Sequence, residues 1–230
     1  MSGRSPRWFT GIQYPSEANF ADNTWEQIIA ACQEKIIPTT WKVGDQKAMT
    51  IGGTDYLIDI IGINHDTYTA GGTAPLTFQM HDCYGETKNM NSSNTNSGGW
   101  KNSAMRTTHL PAILSQMPTE VQSGIREVNK LTSAGNQSAT INTTADKLFL
   151  LSEVEIFGSV SYSKSGEGTQ YDYYKAGNSK VKKRNGYAYD WWERSPYASD
   201  STGFCLVGSD GSANGDYARY SRGVAFCFCF

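Results

Sequence analysis

The sequence WWERSPYASDSTGFCLVGSDGSANGDYARYSRGVAFCFCF, residues 191–230, decides how this chain is interpreted. Large apolar residues and glycines recur through it at positions that a fold would bury or restrict. They are Trp191, Trp192, Phe204, Val207, Gly223, Val224 and Phe226. Between them lie small, polar and aromatic residues with no single shared chemistry. The alternation predicts a fixed, buried scaffold that carries a solvated surface between its anchor positions.

The interleaved positions form the candidate ligand-binding surface. Their composition is rich in Tyr, Ser, Asp, Asn and Gly, which suits an adaptable binding surface because tyrosine offers large contact area at low rotamer cost. An ordinary loop-rich C-terminus would have a similar composition. The predicted contact residues are Tyr197, Ala198, Ser199, Asp200, Ser201, Thr202, Ser209, Ser212, Asn214, Asp216, Tyr217, Arg219, Tyr220 and Arg222.

Five residue types are missing from the end of the chain. After Glu193 there is no Lys, Glu, Gln, Met or Trp, although these types make up about a fifth of the residues before it. Solvated loops normally contain Lys, Glu and Gln. The absence therefore indicates that something other than solubility shaped this segment.

Length and charge set broad limits. The 230 residues are enough for one large domain with a substantial core. A formal net charge of -2 gives no basic field, so nucleic acid is not an expected partner. No apolar run reaches the roughly 20 residues of a membrane span. Because residues 1–15 also lack an apolar secretory segment, we expect synthesis in the cytoplasm without independent export.

The first eighty residues give clear local signals. Residues 1–22 are interpreted as an N-terminal arm preceding a single domain over residues 23–230. A helix is predicted from Asn23 or Thr24 to before Pro38, with Thr24 and Gln27 as a capping box. Residues 47–64 predict a β-hairpin that turns at Gly52-Gly53, and residues 76–82 predict a third strand.

The middle of the chain is richer in loops. Residues 85–99 predict a long surface loop, and residues 102–117 a helix interrupted at Pro111. A second hairpin is predicted between residues 125–133 and 146–152, and residues 158–187 again resemble a loop. Ser152, Glu155 and Gly158 predict a short helix with a capping box and a glycine end. The fold class is therefore α+β, with short antiparallel strands, two or so helices and long loops.

No catalytic or metal-binding pattern emerges from the sequence. His65, His81 and His109 lie in separate segments without metal-ligand spacing, and no nucleophile motif is present. The five cysteines lack zinc or redox spacing and are interpreted as buried thiols. On a strand, Cys227 and Cys229 would face one side and the flanking phenylalanines the other. We therefore expect no cofactor, no metal and no catalytic residue.

Four blocks in order resemble a family of domains of unknown function found in gut bacteria and their phages. The blocks are GGWKNSAMR at residues 98–106, DKLFLLSEVEIFG at 146–158, WWERSP at 191–196 and GVAF at 223–226. The resemblance covers most of the chain from about Trp25. It implies a C-type-lectin-like fold akin to that of formylglycine-generating enzymes.

Members of this group serve as variable proteins of diversity-generating retroelements. In these systems adenines of a C-terminal coding repeat are mutagenised, and an AAY codon can then become many residues but never Lys, Glu, Gln, Met or Trp. The resemblance thus implies that residues 191–230 are a variable region whose interleaved positions contact a protein or glycan ligand on a target cell. It further implies display on a phage tail or a bacterial surface.

Two alternatives belong to other functional classes. One is an enzyme of the formylglycine-generating type, which would use thiols such as Cys227 and Cys229. The other is a purely structural virion or surface protein with a merely solvated C-terminus. The calcium motifs of animal C-type lectins are lacking, which argues against calcium-dependent sugar binding.

Overall fold

A computed structural model of the chain describes residues 19–230 and contains six short helices and several small antiparallel sheets. The α+β class is confirmed, although the sequence predicted only about two helices. Residues 1–18 of the predicted arm lie outside the described residues. Residues 19–22 are not an arm, because Phe20 is buried against Trp25, Trp41 and Phe78.

The elements follow the chain in this order. The helices are α1 (Trp25–Glu34), α2 (Gly99–Asn102), α3 (Leu110–Leu114), α4 (Thr119–Gly124), α5 (Glu153–Phe157) and α6 (Asp172–Lys175), with a 3₁₀ turn at Phe20–Asp22 and a π-helical turn at Met105–His109. The strands are β1 (Gln46–Ile51), β2 (Thr54–Ile63), β3 (Leu76–Met80), β4 (Lys88–Asn89), β5 (Val128–Ser133), β6 (Ile141–Asp146), β7 (Lys182–Arg184), β8 (Tyr187–Tyr189), β9 (Trp191–Pro196), β10 (Gly203–Val207), β11 (Ala213–Tyr217), β12 (Ser221–Arg222) and β13 (Cys227–Cys229).

The largest sheet has the order β1-β2-β3-β13 and brings the end of the chain beside its first hairpin. The hairpin turn at Gly52-Gly53 is as predicted, with φ of 57° and 82°. One face of the sheet packs Phe78 and Phe228 against Trp25 of α1. Cys229 points to the other face, where its Sγ lies 3.4 Å from Thr77 Oγ1. The predicted separation of thiols from rings on this strand is confirmed.

The capping boxes predicted at the start of two helices are both present. α1 starts after Thr24 with a reciprocal capping box to Gln27, and α5 starts after Ser152 with one to Glu155. Gly158 ends α5 with φ of 74°, a left-handed conformation that glycine adopts without steric cost.

The predicted second hairpin was wrong in its second strand. β5 pairs with β6, most of which lies in the segment expected to link the two predicted strands. Residues 148–151 are instead an extended buried segment, joined to β13 through mutual hydrogen bonds between Phe149 and Cys227. β6 is polar, but its alternate residues face the interior. There the Asp146 carboxylate accepts hydrogen bonds from Trp100 Nε1 and Arg106 Nε, and these bonds fix the strand.

Two segments predicted as loops are more structured than expected, and one predicted helix differs in form. Residues 85–99 include β4 and the buried residues Met90 and Asn96, and residues 158–187 include α6 and β7. The helix predicted over residues 102–117 is divided into the π-helical turn and α3. Pro111 lies in the first turn of α3, which follows the π-helical turn directly.

A chain of alternating buried charges lies between the large sheet and β9. Lys130 Nζ lies 2.8 Å from both Asp66 Oδ1 and Glu155 Oε1, and Arg194 binds the same Glu155 carboxylate. Burial alone would raise the pKa of Asp66, but the charge of Lys130 and donors from Lys130, Thr77 and Tyr171 lower it to about 2. These four residues therefore stay charged in the core.

Among residues 19–230, no helix combines the length and apolar content required to cross a lipid bilayer.

Candidate ligand-binding surface

Strands β9 and β10 form the buried base of the C-terminal segment. All residues of both strands are buried, as are Gly223, Val224 and Phe226. The seven residues predicted as scaffold are thus all inaccessible to solvent. The two indoles also satisfy their N–H groups, since Trp191 Nε1 donates to Lys180 O and Trp192 Nε1 donates to Lys88 O.

Gly223 has a steric reason to be glycine. A Cβ atom there would lie 2.6 Å from Cys83 Sγ and 2.9 Å from Asp190 O. Its carbonyl also accepts a hydrogen bond from Trp192 N. A side chain at this position would therefore disturb the packing of β9.

The fourteen predicted contact residues are all at least partly exposed. Ser199, Ser209, Ser212, Asn214, Tyr217, Arg219 and Tyr220 are exposed, and the other seven are half-buried. The predicted separation between inward and outward positions is therefore present in the structure. Their role in binding stays a prediction.

A depression of about 210 Å³ lies near one end of β10 and β11 and is lined by six residues. They are Tyr197, Asp200, Gly203, Gly215, Asp216 and Tyr217, and we call this set the tyrosine depression. Tyr217 is 48% exposed, so its ring is free to contact a partner. The depression unites residues from the loop after β9 with residues from β11.

A second group of predicted residues adjoins the tyrosine depression. The ring of Tyr220 lies 5.9 Å from that of Tyr217, and Arg219 lies 5.3 Å from the Tyr220 ring. Arg222 forms ion pairs with Asp216 and, at 3.8 Å, with Asp190. Tyrosine and arginine are the residue types that most often dominate binding energy at interfaces.

The loop of residues 197–203 is held by a side chain distant in sequence. Asn96 is fully buried, and its Nδ2 donates to Gly203 O at 2.8 Å, Asp200 O at 3.0 Å and Tyr197 O at 3.4 Å. Its Oδ1 accepts from Asn136 N at 2.7 Å. Asn96 therefore holds this loop through backbone carbonyls, which are present whatever side chains occupy the exposed positions, and Asp200 Oδ1 adds a side-chain contact to Thr202 N and Gly203 N.

Tyr162 extends the surface beside Tyr197, with 5.2 Å between their ring centroids. It is positioned by the buried carboxylate of Glu153, which accepts hydrogen bonds from the backbone amides of Ser161, Tyr162 and Ser163. The predicted contact residues omitted Tyr162, Asn96, Gly203 and Gly215. Gly203 and Gly215 carried a usable signal, because each lies next to predicted contact residues in the sequence.

Two predicted contact residues lie apart from this group. Ser209 and Ser212 belong to the turn between β10 and β11, whereas Gly203 pairs with Tyr217 at the other end of the hairpin. Four residue steps along a strand separate the two ends by roughly 13 Å. Ser209 is fixed there by a hydrogen bond from its N to Asp190 Oδ1. Asn214 projects from β11 between the two ends.

The base beneath the surface contains a buried acid. Both carboxyl oxygens of Glu193 are buried and have no hydrogen-bond partner among residues 19–230. Burial, together with the nearby Glu153 and Glu167, raises the pKa of Glu193 well above its usual range. The interior around Glu193 therefore favours the protonated, neutral form of this side chain.

The surroundings of the cysteines and histidines bear on the enzymatic alternative. Cys227 and Cys229 are fully buried, and burial raises the pKa of both thiols, whereas a thiolate nucleophile requires a lowered pKa. Within the described part of the chain, no three His, Cys, Asp or Glu side chains are arranged to hold a metal ion. His81 is paired with Asp59, and His109 with Asn89.

The family is settled by a match over residues 72–230. The chain belongs to the family described as a domain of unknown function, DUF6273. The match includes the entire C-terminal surface and both β3 and β13, while β1 and β2 of the same sheet precede it. Comparisons with curated proteins and with solved structures give no match.

Replacing Asn96 with alanine should loosen the surface without unfolding the domain. Three carbonyls of residues 197–203 would lose the hydrogen bond from Asn96 Nδ2, at a cost of about 1–3 kcal/mol. Hydrogen exchange at the amides of Tyr197 and Gly203 should become faster. Asn94→Ala is the matched control, because the bond that Asn94 Oδ1 accepts within residues 19–230 is a single long one of 3.4 Å, from Arg219 N. Equal exchange in the two variants would contradict this role of Asn96.

Proposed function

We propose that this chain is a non-enzymatic ligand-binding protein whose C-terminal surface is diversified by a retroelement. Its fold would be C-type-lectin-like, and it would be presented on a phage tail or a bacterial cell surface as a receptor-binding or adhesion module. The partner would be a protein or a glycan on a target cell.

One observation carries this proposal. The exposed residues of the C-terminal segment project from a backbone that buried residues support. The same segment also lacks Lys, Glu, Gln, Met and Trp after Glu193. A surface can vary without loss of the fold only if the fold does not rely on its side chains. The missing types are those that adenine mutagenesis of AAY codons cannot create. Exposure and composition thus support the same interpretation.

The chemistry of the surface favours a macromolecular partner. Tyr162, Tyr197, Tyr217 and Tyr220 provide aromatic area around a shallow depression instead of a deep cavity. Shallow aromatic surfaces with arginines at their edge are typical of protein interfaces. The net charge of -2 gives no support for a nucleic-acid partner.

The competing classes receive less support. A formylglycine-generating activity would require accessible, reactive thiols, and Cys227 and Cys229 face the interior. A purely structural protein would have no reason to exclude lysine and glutamate from its exposed C-terminal positions.

The DNA next to the coding sequence tests the diversification. We expect a near-identical, adenine-rich copy of the segment encoding residues 191–230, with a reverse transcriptase gene nearby. Differences between the two copies should fall at adenines and at codons of exposed positions. A neighbourhood without such a copy, or with differences at buried codons, would contradict the proposal.

A display library tests the binding capacity. The fourteen predicted contact positions would be randomised with AAY-derived codons and selected against lysozyme and serum albumin as unrelated protein probes. We expect specific binders of micromolar affinity or better, since interfaces of modest quality reach about 1 μM. The control library randomises the fourteen positions of β1, β2 and α1 that are at least partly exposed. If both libraries yielded binders equally often, the C-terminal surface would not be specialised for binding, and the proposal would be contradicted.

A further inference from the structure

The tyrosine depression has a composition suited to one kind of ligand group. Its walls are the phenol rings of Tyr197 and Tyr217, its carboxylates are Asp200 and Asp216, and glycines 203 and 215 contribute only backbone. None of its lining residues, all within the described chain, is Lys, Arg or His. Aromatic faces and carboxylates both attract a positive charge.

One of the two carboxylates is already neutralised, and the other is not. Asp216 Oδ2 is paired with Arg222 Nη2. Asp200 uses Oδ1 to accept from Thr202 N at 2.7 Å, Gly203 N at 3.1 Å and Thr202 Oγ1. Its Oδ2 has no donor, and Asp200 forms no ion pair, among residues 19–230. Asp200 is therefore a half-buried residue of the depression whose carboxylate has one oxygen without a donor among residues 19–230.

The ring of Tyr197 stays neutral and keeps its electron-rich face. Burial, with nearby groups that include Asp200, raises the pKa of Tyr197 to about 12. The phenol is therefore uncharged at pH 7, and its face attracts a cation through the quadrupole of the ring.

Gly215 controls the position of this ring. A Cβ atom at residue 215 would lie 1.9 Å from Tyr197 Cε2 and 2.6 Å from Cδ2. Any other residue would displace the Tyr197 ring and change the shape of the depression. Residue 215 is therefore coupled to residue 197, although the two positions are 18 residues apart in sequence.

We propose that the tyrosine depression binds the cationic head group of a lysine or arginine side chain presented by a protein partner, and that Gly215 determines this specificity. The inference rests on the proposed ligand-binding function and names the chemistry recognised by this particular combination of residues. The volume of about 210 Å³ suits a single side chain. Carboxylate Oδ2 of Asp200 would accept from the cation, and the rings of Tyr197 and Tyr217 would flank it.

Nuclear magnetic resonance of labelled tyrosine rings tests the proposal. The probes are N-acetyl-L-argininamide and N-acetyl-L-lysinamide, compared with their neutral analogues N-acetyl-L-citrullinamide and N-acetyl-L-norleucinamide. We expect saturable shifts of the Tyr197 and Tyr217 rings with the cationic probes only, weakened by added salt. Spermidine is the additional arm. If it binds more tightly than either amino-acid amide, the site recognises a free polyamine and the protein partner is wrong.

Three variants assign the effect to the residues named. Asp200→Asn keeps the Oδ1 acceptor and with it the loop, but should weaken binding of the cationic probes at least about fivefold. Gly215→Ala should weaken it to a similar extent by moving the ring. Asp210→Asn, at the far turn of the hairpin, is the matched control and should change nothing. Melting temperatures of all three would verify that each variant is folded.

Equal shifts with neutral and cationic probes would overturn the proposal, as would the absence of a saturable shift. A folded Asp200→Asn variant with unchanged affinity would do the same. The display library separates this result from the proposed function. If that library yields binders while cationic probes fail here, only the cationic specificity is lost. If the library also fails, the ligand-binding function itself is contradicted.

Discussion

The pairing of Arg194 with Glu155 is the interaction on which the C-terminal surface depends. The guanidinium is fully buried, and both of its Nη atoms bind the Glu155 carboxylate. It also donates to Leu150 O, Thr132 Oγ1 and Glu167 O. One side chain on β9 thereby fixes β5, the start of α5 and the segment before it. The bidentate fork of arginine allows this geometry, which the single ammonium of lysine could not reproduce.

The consequence for the surface follows from where β9 leads. Arg194 fixes the strand that continues directly into residues 197–203, and Asn96 then holds the carbonyls of that loop. β10 returns through the buried interior, so that β11 carries outward-facing side chains on a supported backbone. The side chains of Tyr217, Arg219 and Tyr220 therefore project from this frame, whereas Asp200 also supports the loop by accepting hydrogen bonds from Thr202 N and Gly203 N. In such an arrangement, the residues that stabilise the fold are largely different from those that would contact a ligand.

Sequence reasoning succeeded where the decisive interactions are local. The capping boxes at Thr24 and Ser152, and the glycine turn at residues 52–53, involve residues that are close along the chain. It failed for β6, because a polar strand with inward-facing Thr144 and Asp146 resembles a loop until its partners Trp100 and Arg106 are known. Within the C-terminal segment, the alternation of residue types correctly predicted which residues are buried and which are exposed. Asn96 and Tyr162 could not be found, since their partners lie far away in sequence and nothing local indicates them.

The central claim is that the fold depends on its buried frame and not on the exposed side chains of its C-terminal segment. Urea unfolding at pH 7 of two variants tests it most directly. Arg194→Met should cost about 3–5 kcal/mol, because Glu155 would lose its main partner in the interior. The simultaneous replacement of Tyr197, Tyr217, Arg219 and Tyr220 by alanine should cost less than about 2 kcal/mol in total. A fourfold variant as unstable as Arg194→Met would contradict the account.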